Sequence, residues 1–263
     1  MESFEPHFFG TSGRRLFGVY HMPRGRVRPH SVLLCPPGPR EYMRSHMAFR
    51  RLALALVRQG FHVLRFDYYG TGDSGGDPRE GNLSEWRANI VAAANDLREC
   101  SGVQRLSLVG FRLGAALAAS APLDVANLLL WEPVISGSHY LEELRDLHRR
   151  QFTSLLFPPP VPPTGSGGDL LGLPLAPQVE TELRALDLRQ APPTHVQHVA
   201  FVAAEERPEY TAVQAKLASL SHDGPSVEFC RVATDEQPDY QEMILISPQF
   251  LDTVTSVLTR RAD

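Results

Sequence analysis

The residues best placed to do chemistry are Gly110-Phe111-Arg112-Leu113-Gly114. An apolar run, Leu106 to Val109, leads into this glycine-framed turn, and an Ala/Leu-rich run, Leu113 to Ala119, leads out of it. This is the grammar of a G-x-S-x-G nucleophile elbow. There the middle residue sits on a strained strand-to-helix turn with its side chain offered for attack. The middle residue here is arginine. A guanidinium stays protonated in proteins and cannot attack an ester, so serine-type acyl transfer at position 112 is excluded.

Three uses of Arg112 follow from its type and position. At a helix start the dipole disfavours a cation by about 0.3–1 kcal/mol, and unpaired burial costs several kcal/mol, so an anion should face it. Glu132 is the first candidate and Glu205 the second. Such a pair would be an internal ion pair that needs no ligand. Alternatively, Arg112 and the helix start bind an anionic ligand, a carboxylate or phosphate, with Leu113, Gly38, Arg40, Glu41 and Glu132 around it. A third use is catalysis by a relocated set: Cys35 as nucleophile, with His46, His139, His148 or His195 as base and Asp67 or Asp73 as acid or base. For Cys35 the competing reading is a buried strand thiol.

These residues need elements to hold them. Short apolar strands at Ser31–Cys35, Phe61–Phe66, Leu106–Val109, Asn127–Trp131, His198–Ala203 and Ser226–Val232 alternate with helical segments. The helices are expected over Met47–Gln59, Ser84–Glu99 with Ser84 as N-cap, Tyr140–Phe152 and Pro248–Arg261, with an antiparallel hairpin over Phe8–Tyr20 ahead of them. Alternating strands and helices imply βαβ units and a mostly parallel sheet with helices on both faces. Phe157 to Pro163 and Gly165 to Gly168 break the rhythm, being too rich in proline and glycine for a regular element. Residues 136–195 therefore read as a cap insertion over the carboxyl ends of the strands. The expected organisation is a core of 1–135 and 196–263 with that cap between. A disordered linker is the alternative for 157–170.

The remaining composition narrows the classes. The chain has 263 residues, enough for one large domain or a domain with an insertion. A formal charge of −4 gives no electrostatic argument for nucleic acid or an anionic membrane. The expected partner is a small anionic or acyl molecule. Lys216 is the only lysine, which leaves almost no amine for Schiff-base chemistry. Cys35, Cys100 and Cys230 have no metal-ligand spacing, and their odd number argues against a disulfide framework, so neither metal nor cofactor is expected. With no signal-peptide pattern and no apolar run near the ~20 residues of a membrane span, a cytoplasmic protein is expected.

With the elbow, this order of elements resembles the α/β-hydrolase fold in its serine-aminopeptidase-like (S33) branch, over nearly the whole chain. Arg65-Phe-Asp-Tyr-Tyr-Gly-Thr-Gly-Asp-Ser-Gly75 looks like that branch's D-x-R-G-x-G-x-S segment, with Trp86 on the following helix. Cys35-Pro-Pro-Gly-Pro-Arg-Glu41 sits where the fold has its oxyanion-hole loop. Arg112 within G-x-R-x-G-A, and Trp131-Glu-Pro-Val-Ile-Ser-Gly137, look like hydrolase-like proteins associated with exosortase A systems. The resemblance implies a nucleophile at 112, an acid at Glu205 or Glu206, or at Glu132 ending the preceding strand, and a base histidine near 233–241. The last stretch, Ala233-Thr-Asp-Glu-Gln-Pro-Asp-Tyr-Gln241, holds no histidine. In the oxyanion loop Pro36, Pro37 and Pro39 have no N–H, which leaves Gly38, Arg40 or Glu41 to donate beside Leu113. Two readings follow: a degenerate hydrolase or binding protein in a biosynthetic or envelope pathway, and an enzyme using a non-serine constellation on a small ester or amide.

Overall fold

The computed structural model describes residues 3–153, 168–171, 173–220, 224–232 and 248–262. The chain begins with a hairpin, β1 (Phe4–Thr11) and β2 (Arg14–His21), and continues through β3 (Ser31–Cys35), α1 (Pro39–Arg58) and β4 (His62–Phe66). Next come α2 (Leu83–Ser101), β5 (Leu106–Phe111), α3 (Leu113–Ala119) and β6 (Val125–Trp131). Between β6 and β9 (Val196–Ala203) lie α4 (Gly137–Thr153), a two-stranded ribbon of β7 (Asp169–Leu170) and β8 (Leu173–Pro174), and α5 (Pro177–Ala185). The chain closes with α6 (Pro208–Ala218), β10 (Ser226–Arg231) and α7 (Pro248–Ala262).

Eight strands form one sheet in the order β1-β2-β4-β3-β5-β6-β9-β10. β2 runs antiparallel to both β1 and β4, and the pairings from β4 through β10 are parallel. Strands β3, β5 and β6 are buried along their whole length, as continuous apolar strands covered on both faces must be. Alternation along β3 divides the core. Val32 and Leu34 pack with Phe49, Leu52 and Leu56 of α1 and Val254 and Leu258 of α7. Leu33 and Cys35 face the opposite layer, with Ile90 and Leu97 of α2 and the alanines of α3. In the first layer Trp131 stacks on Phe49 and Phe250 and tilts against Phe111, with centroids 6.4, 5.2 and 4.9 Å away.

Several boundaries move from their sequence-based positions, each for a physical reason. α1 starts at Pro39, eight residues before Met47, because Pro39 takes the first helical turn, where a missing N–H costs nothing. The cap of α2 is Asn82, not Ser84: the Asn82 side-chain oxygen accepts from the Glu85 N–H at 2.9 Å. The Ser84 N–H and hydroxyl donate instead to Glu182 of α5. Helices α5 and α6 add to the expected elements; at 9 and 11 residues each is too short for its periodicity to stand out. The 157–170 expectation lies largely outside the described residues, as does the histidine-free stretch 233–241.

Candidate functional site

Register brings the candidate residues to one edge. Cys35 pairs with Gly110, Phe111 with Trp131 and Trp131 with Val202, so the carboxyl ends of β3, β5, β6 and β9 align. Whatever follows those strands is gathered there: the Pro36–Glu41 loop, Arg112, Glu132 and the residues after Ala203.

Arg112 is the tip of the turn from β5 to α3, with φ 51° and ψ −118°. A non-glycine residue there carries about 1–3 kcal/mol of strain, so the surroundings must enforce it. Its N–H donates to the Trp131 carbonyl at 3.0 Å, and its own carbonyl accepts from Ala115 at 3.1 Å and Val134 at 3.2 Å. The flanking glycines are obligatory. A Cβ at Gly110 would overlap Ala115, and one at Gly114 would overlap the carbonyl oxygen of Pro36.

The Arg112 side chain is buried, with 7% of the residue exposed. Its guanidinium meets the Glu143 carboxylate of α4 at 2.7 Å and lies over the Tyr140 ring, 5.5 Å from the centroid. The Tyr140 hydroxyl donates to both oxygens of Glu41, at 2.8 and 3.0 Å, and Glu41 is itself buried in the first turn of α1. His139, one turn before Glu143, approaches its other oxygen at 3.3 Å. Two carboxylates, a phenol and a guanidinium thus occupy the space in front of the turn.

This corrects the expected partner. Glu132 does not face Arg112: its carboxylate accepts from the Ala204 N–H at 2.7 Å and the Tyr210 hydroxyl at 3.3 Å, with Arg207 at 3.7 Å. The backbone explains why. Glu132 has φ 41° and donates its N–H to Val202, which turns the side chain toward β9 and α6. Glu205 is exposed, outside the buried cluster. The partner that sequence reasoning missed, Glu143, had one available signal. Tyr140, Glu143 and Leu144 fall at i, i+3 and i+4 and so share a helix face. Which surface that face would meet depends on tertiary placement.

Beside the cluster is a cavity of about 380 Å³. Its walls are mainly apolar: Trp86, Leu113 and Tyr140, with Leu144, Leu175 and Leu183 from the segment between β6 and β9. Gly38, Tyr42 and the Gly70–Gly72 turn complete the rim. Gly38, cap of α1, lies where a Cβ would come 3.1 Å from the Tyr140 hydroxyl and 3.4 Å from a Glu41 oxygen. A carboxylate therefore stands beside the expected donor loop. Arg40 belongs to the first turn of α1, and its side chain lies outside the described residues.

The relocated-catalysis candidates are not assembled. Cys35 is fully buried, and burial alone pushes its thiol well above the ordinary range. His46 is exposed on α1 and lines a different, smaller cavity with Asp67 and Asp73. His148 is buried and accepts at Nδ1 from the Leu171 N–H at 2.9 Å. His195 precedes β9, at the opposite end of the sheet, 3.3 Å from Asp124. Asp67 has a structural task. It accepts from Tyr42 and from the Asp73 N–H at 2.9 Å, and a Cβ at Gly72 would collide with it. Burial raises its pKa, the largest effect, and the Tyr42 bond opposes that. The Ser74 hydroxyl donates to the Asp67 carbonyl at 2.6 Å and accepts from the Phe17 N–H at 2.8 Å, tying this turn to the hairpin.

No family model and no curated protein matches the sequence. Solved structures match over the whole chain. The Pyrococcus furiosus esterase Pf2001 is 15% identical with a TM-score of 0.65, over 100% of this chain and 94% of its own. The alpha/beta hydrolase domain-containing protein 10 from mouse is 14% identical with a TM-score of 0.59, over 97% of both chains. Est1E from Butyrivibrio proteoclasticus, whose structure contains ferulic acid, is 15% identical with a TM-score of 0.60, over 97% and 96%. At these identities the likeness establishes the fold: the chain has an α/β-hydrolase fold, as its mostly parallel eight-stranded sheet indicates.

Proposed function

We propose that this protein is a hydrolase-like binding protein that holds a small apolar or acyl molecule and performs no serine-type acyl transfer. The observation that carries this is the Arg112–Glu143 pair at the tip of the β5–α3 turn, 2.7 Å across and largely buried. In this reading the turn is a nucleophile elbow whose reactive position holds an internal ion pair. The described part of 136–195, from α4 through α5, acts in this reading as the cap that supplies Glu143, Tyr140 and the upper wall of the pocket. Because Glu143 already balances the guanidinium, the ligand need not be an anion, and the apolar walls favour an alkyl or acyl group. The motifs around Arg65, Arg112 and Trp131 support placing the chain in the serine-aminopeptidase-like branch, beside the proteins associated with exosortase A systems. A role in a biosynthetic or envelope pathway would follow. The buried, unactivated Cys35 disfavours the reading as a non-serine enzyme.

The test uses the uncharged fluorophore N-phenyl-1-naphthylamine as pocket probe and p-nitrophenyl butyrate as ester. Saturable probe binding, weakened by about tenfold or more in Leu175→Trp, is expected, with no ester turnover above buffer. Turnover that disappears in Cys35→Ser would replace this reading with the enzymatic one.

A further inference from the structure

Away from the pocket, three side chains with metal-binding chemistry converge from two elements that sequence spacing keeps apart. His7 stands on β1, and Asp96 and Cys100 stand on α2. Asp96 and Cys100 are four residues apart and so share one helix face. The His7 Nε2 lies 2.7 Å from an Asp96 oxygen, and the Cys100 sulfur lies 4.0 Å from that nitrogen and 3.9 Å from that oxygen. Trp86, which lines the pocket, lies ten residues before Asp96 and fourteen before Cys100 on α2, about 15 and 21 Å along the axis. This cluster therefore belongs to a different part of the surface.

We propose that His7, Asp96 and Cys100 form a binding site for a zinc-class divalent cation, with water completing a tetrahedron. Imidazole nitrogen, carboxylate oxygen and thiolate sulfur are the three donor types zinc accepts, and three protein ligands plus water make an open tetrahedral site. Metal–ligand bonds of about 2.0–2.3 Å at tetrahedral angles set donor atoms about 3.3–3.6 Å apart. His7 and Asp96 would open by about half an ångström and Cys100 would close by a similar amount, within the reach of side-chain torsions. The other imidazole nitrogen, Nδ1, lies 3.3 Å from the Glu5 carbonyl. A hydrogen bond there directs Nε2 toward the metal, the arrangement typical of ligating histidines. The two elements are already in place, with β1 hydrogen-bonded along its length to β2 and α2 packed against both.

The test titrates the chelator-treated full chain with zinc against a chromophoric zinc indicator, and with cobalt under absorption spectroscopy. One zinc per chain should be withdrawn from the indicator. The cobalt complex should show tetrahedral d–d bands and a thiolate-to-cobalt charge-transfer band. His7→Ala, Asp96→Asn and Cys100→Ser should each weaken zinc binding by about tenfold or more. Cys100→Ser should abolish the charge-transfer band, while Cys230→Ser leaves it intact. Cys100 is exposed, so its serine variant keeps the test valid should His7→Ala fold poorly. Absence of stoichiometric zinc uptake overturns the proposal. So does uptake that Cys100→Ser does not weaken, or a cobalt spectrum without a thiolate band.

Discussion

Arg112 joins two costs, a left-handed backbone and a buried cation, and the Glu143 carboxylate and the Tyr140 ring offset the second of them. Replacing it with serine restores a nucleophile's hydroxyl but leaves the Glu143 carboxylate in a largely buried site without its guanidinium. Arg112→Ser is therefore expected to lose about 2–3 kcal/mol of stability in urea unfolding. It is also expected to give no turnover of p-nitrophenyl butyrate, because His139 is engaged with Glu143, His148 with Leu171 and His195 with Asp124, while His46 lines another cavity. Ester turnover by this single variant would mean that a base lies within reach. A second residue-scale expectation concerns pH. Burial, reinforced by Arg65 and Arg50, lowers the His21 pKa to about 4, and burial with Arg105 and Arg28 does the same for His30. Both are neutral in the folded chain and would titrate near 6.5 when unfolded. Their contribution is complete above about pH 6.5 and is lost as pH falls from there toward 4, where unfolding takes up protons. Urea midpoints should decline across that window, and His30→Gln should reduce the slope. A midpoint flat between pH 6.5 and 4.5 would contradict it.

The elements show what was legible in the chain and what was not. The turn at 110–114 and the helix Leu113–Ala119 could be read directly, because glycine placement and an alanine run act locally. The same holds for β3 to β6, β9 and β10, whose apolar runs are short and bounded, but not for the two-residue strands β7 and β8 or for β1 ahead of Phe8, which carry no such run. Helix starts fared worse where two polar residues compete: Asn82 and Ser84 both suit a cap, and only the position of α5 decides that Ser84 bonds to Glu182. The partner of Arg112 was illegible for a stronger reason. Glu143 reaches it only because α4 crosses the carboxyl edge of the sheet, and no local spacing encodes that crossing. Its placement depends on a tight contact, since a Cβ at Gly137, the first residue of α4, would overlap the Leu183 carbonyl of α5. Gly137→Ala is expected to displace α4 from α5. Binding of N-phenyl-1-naphthylamine should weaken several-fold while the far-ultraviolet circular dichroism of the sheet persists. Unchanged probe affinity would show that α4 tolerates the shift.

At the scale of the molecule, among the described residues no helix is long and apolar enough to cross a membrane. The two core layers are unequal in what they touch. In the layer of α1 and α7 the Trp131 indole packs among phenylalanines, whereas the layer of α2 borders the cavity beneath α4 and α5. The chain's two tryptophans divide between these layers. Trp131 is enclosed by Phe49, Phe111 and Phe250, while Trp86 forms part of the cavity wall and donates its indole N–H to the Tyr69 carbonyl at 3.1 Å. The protein thus carries two tryptophan fluorophores with separate reporting duties. A Trp131→Phe variant would leave a single emitter at the pocket, whose quenching reads occupancy without any label. A Trp86→Phe variant would leave one that stays silent to ligand and changes only when the sheet comes apart.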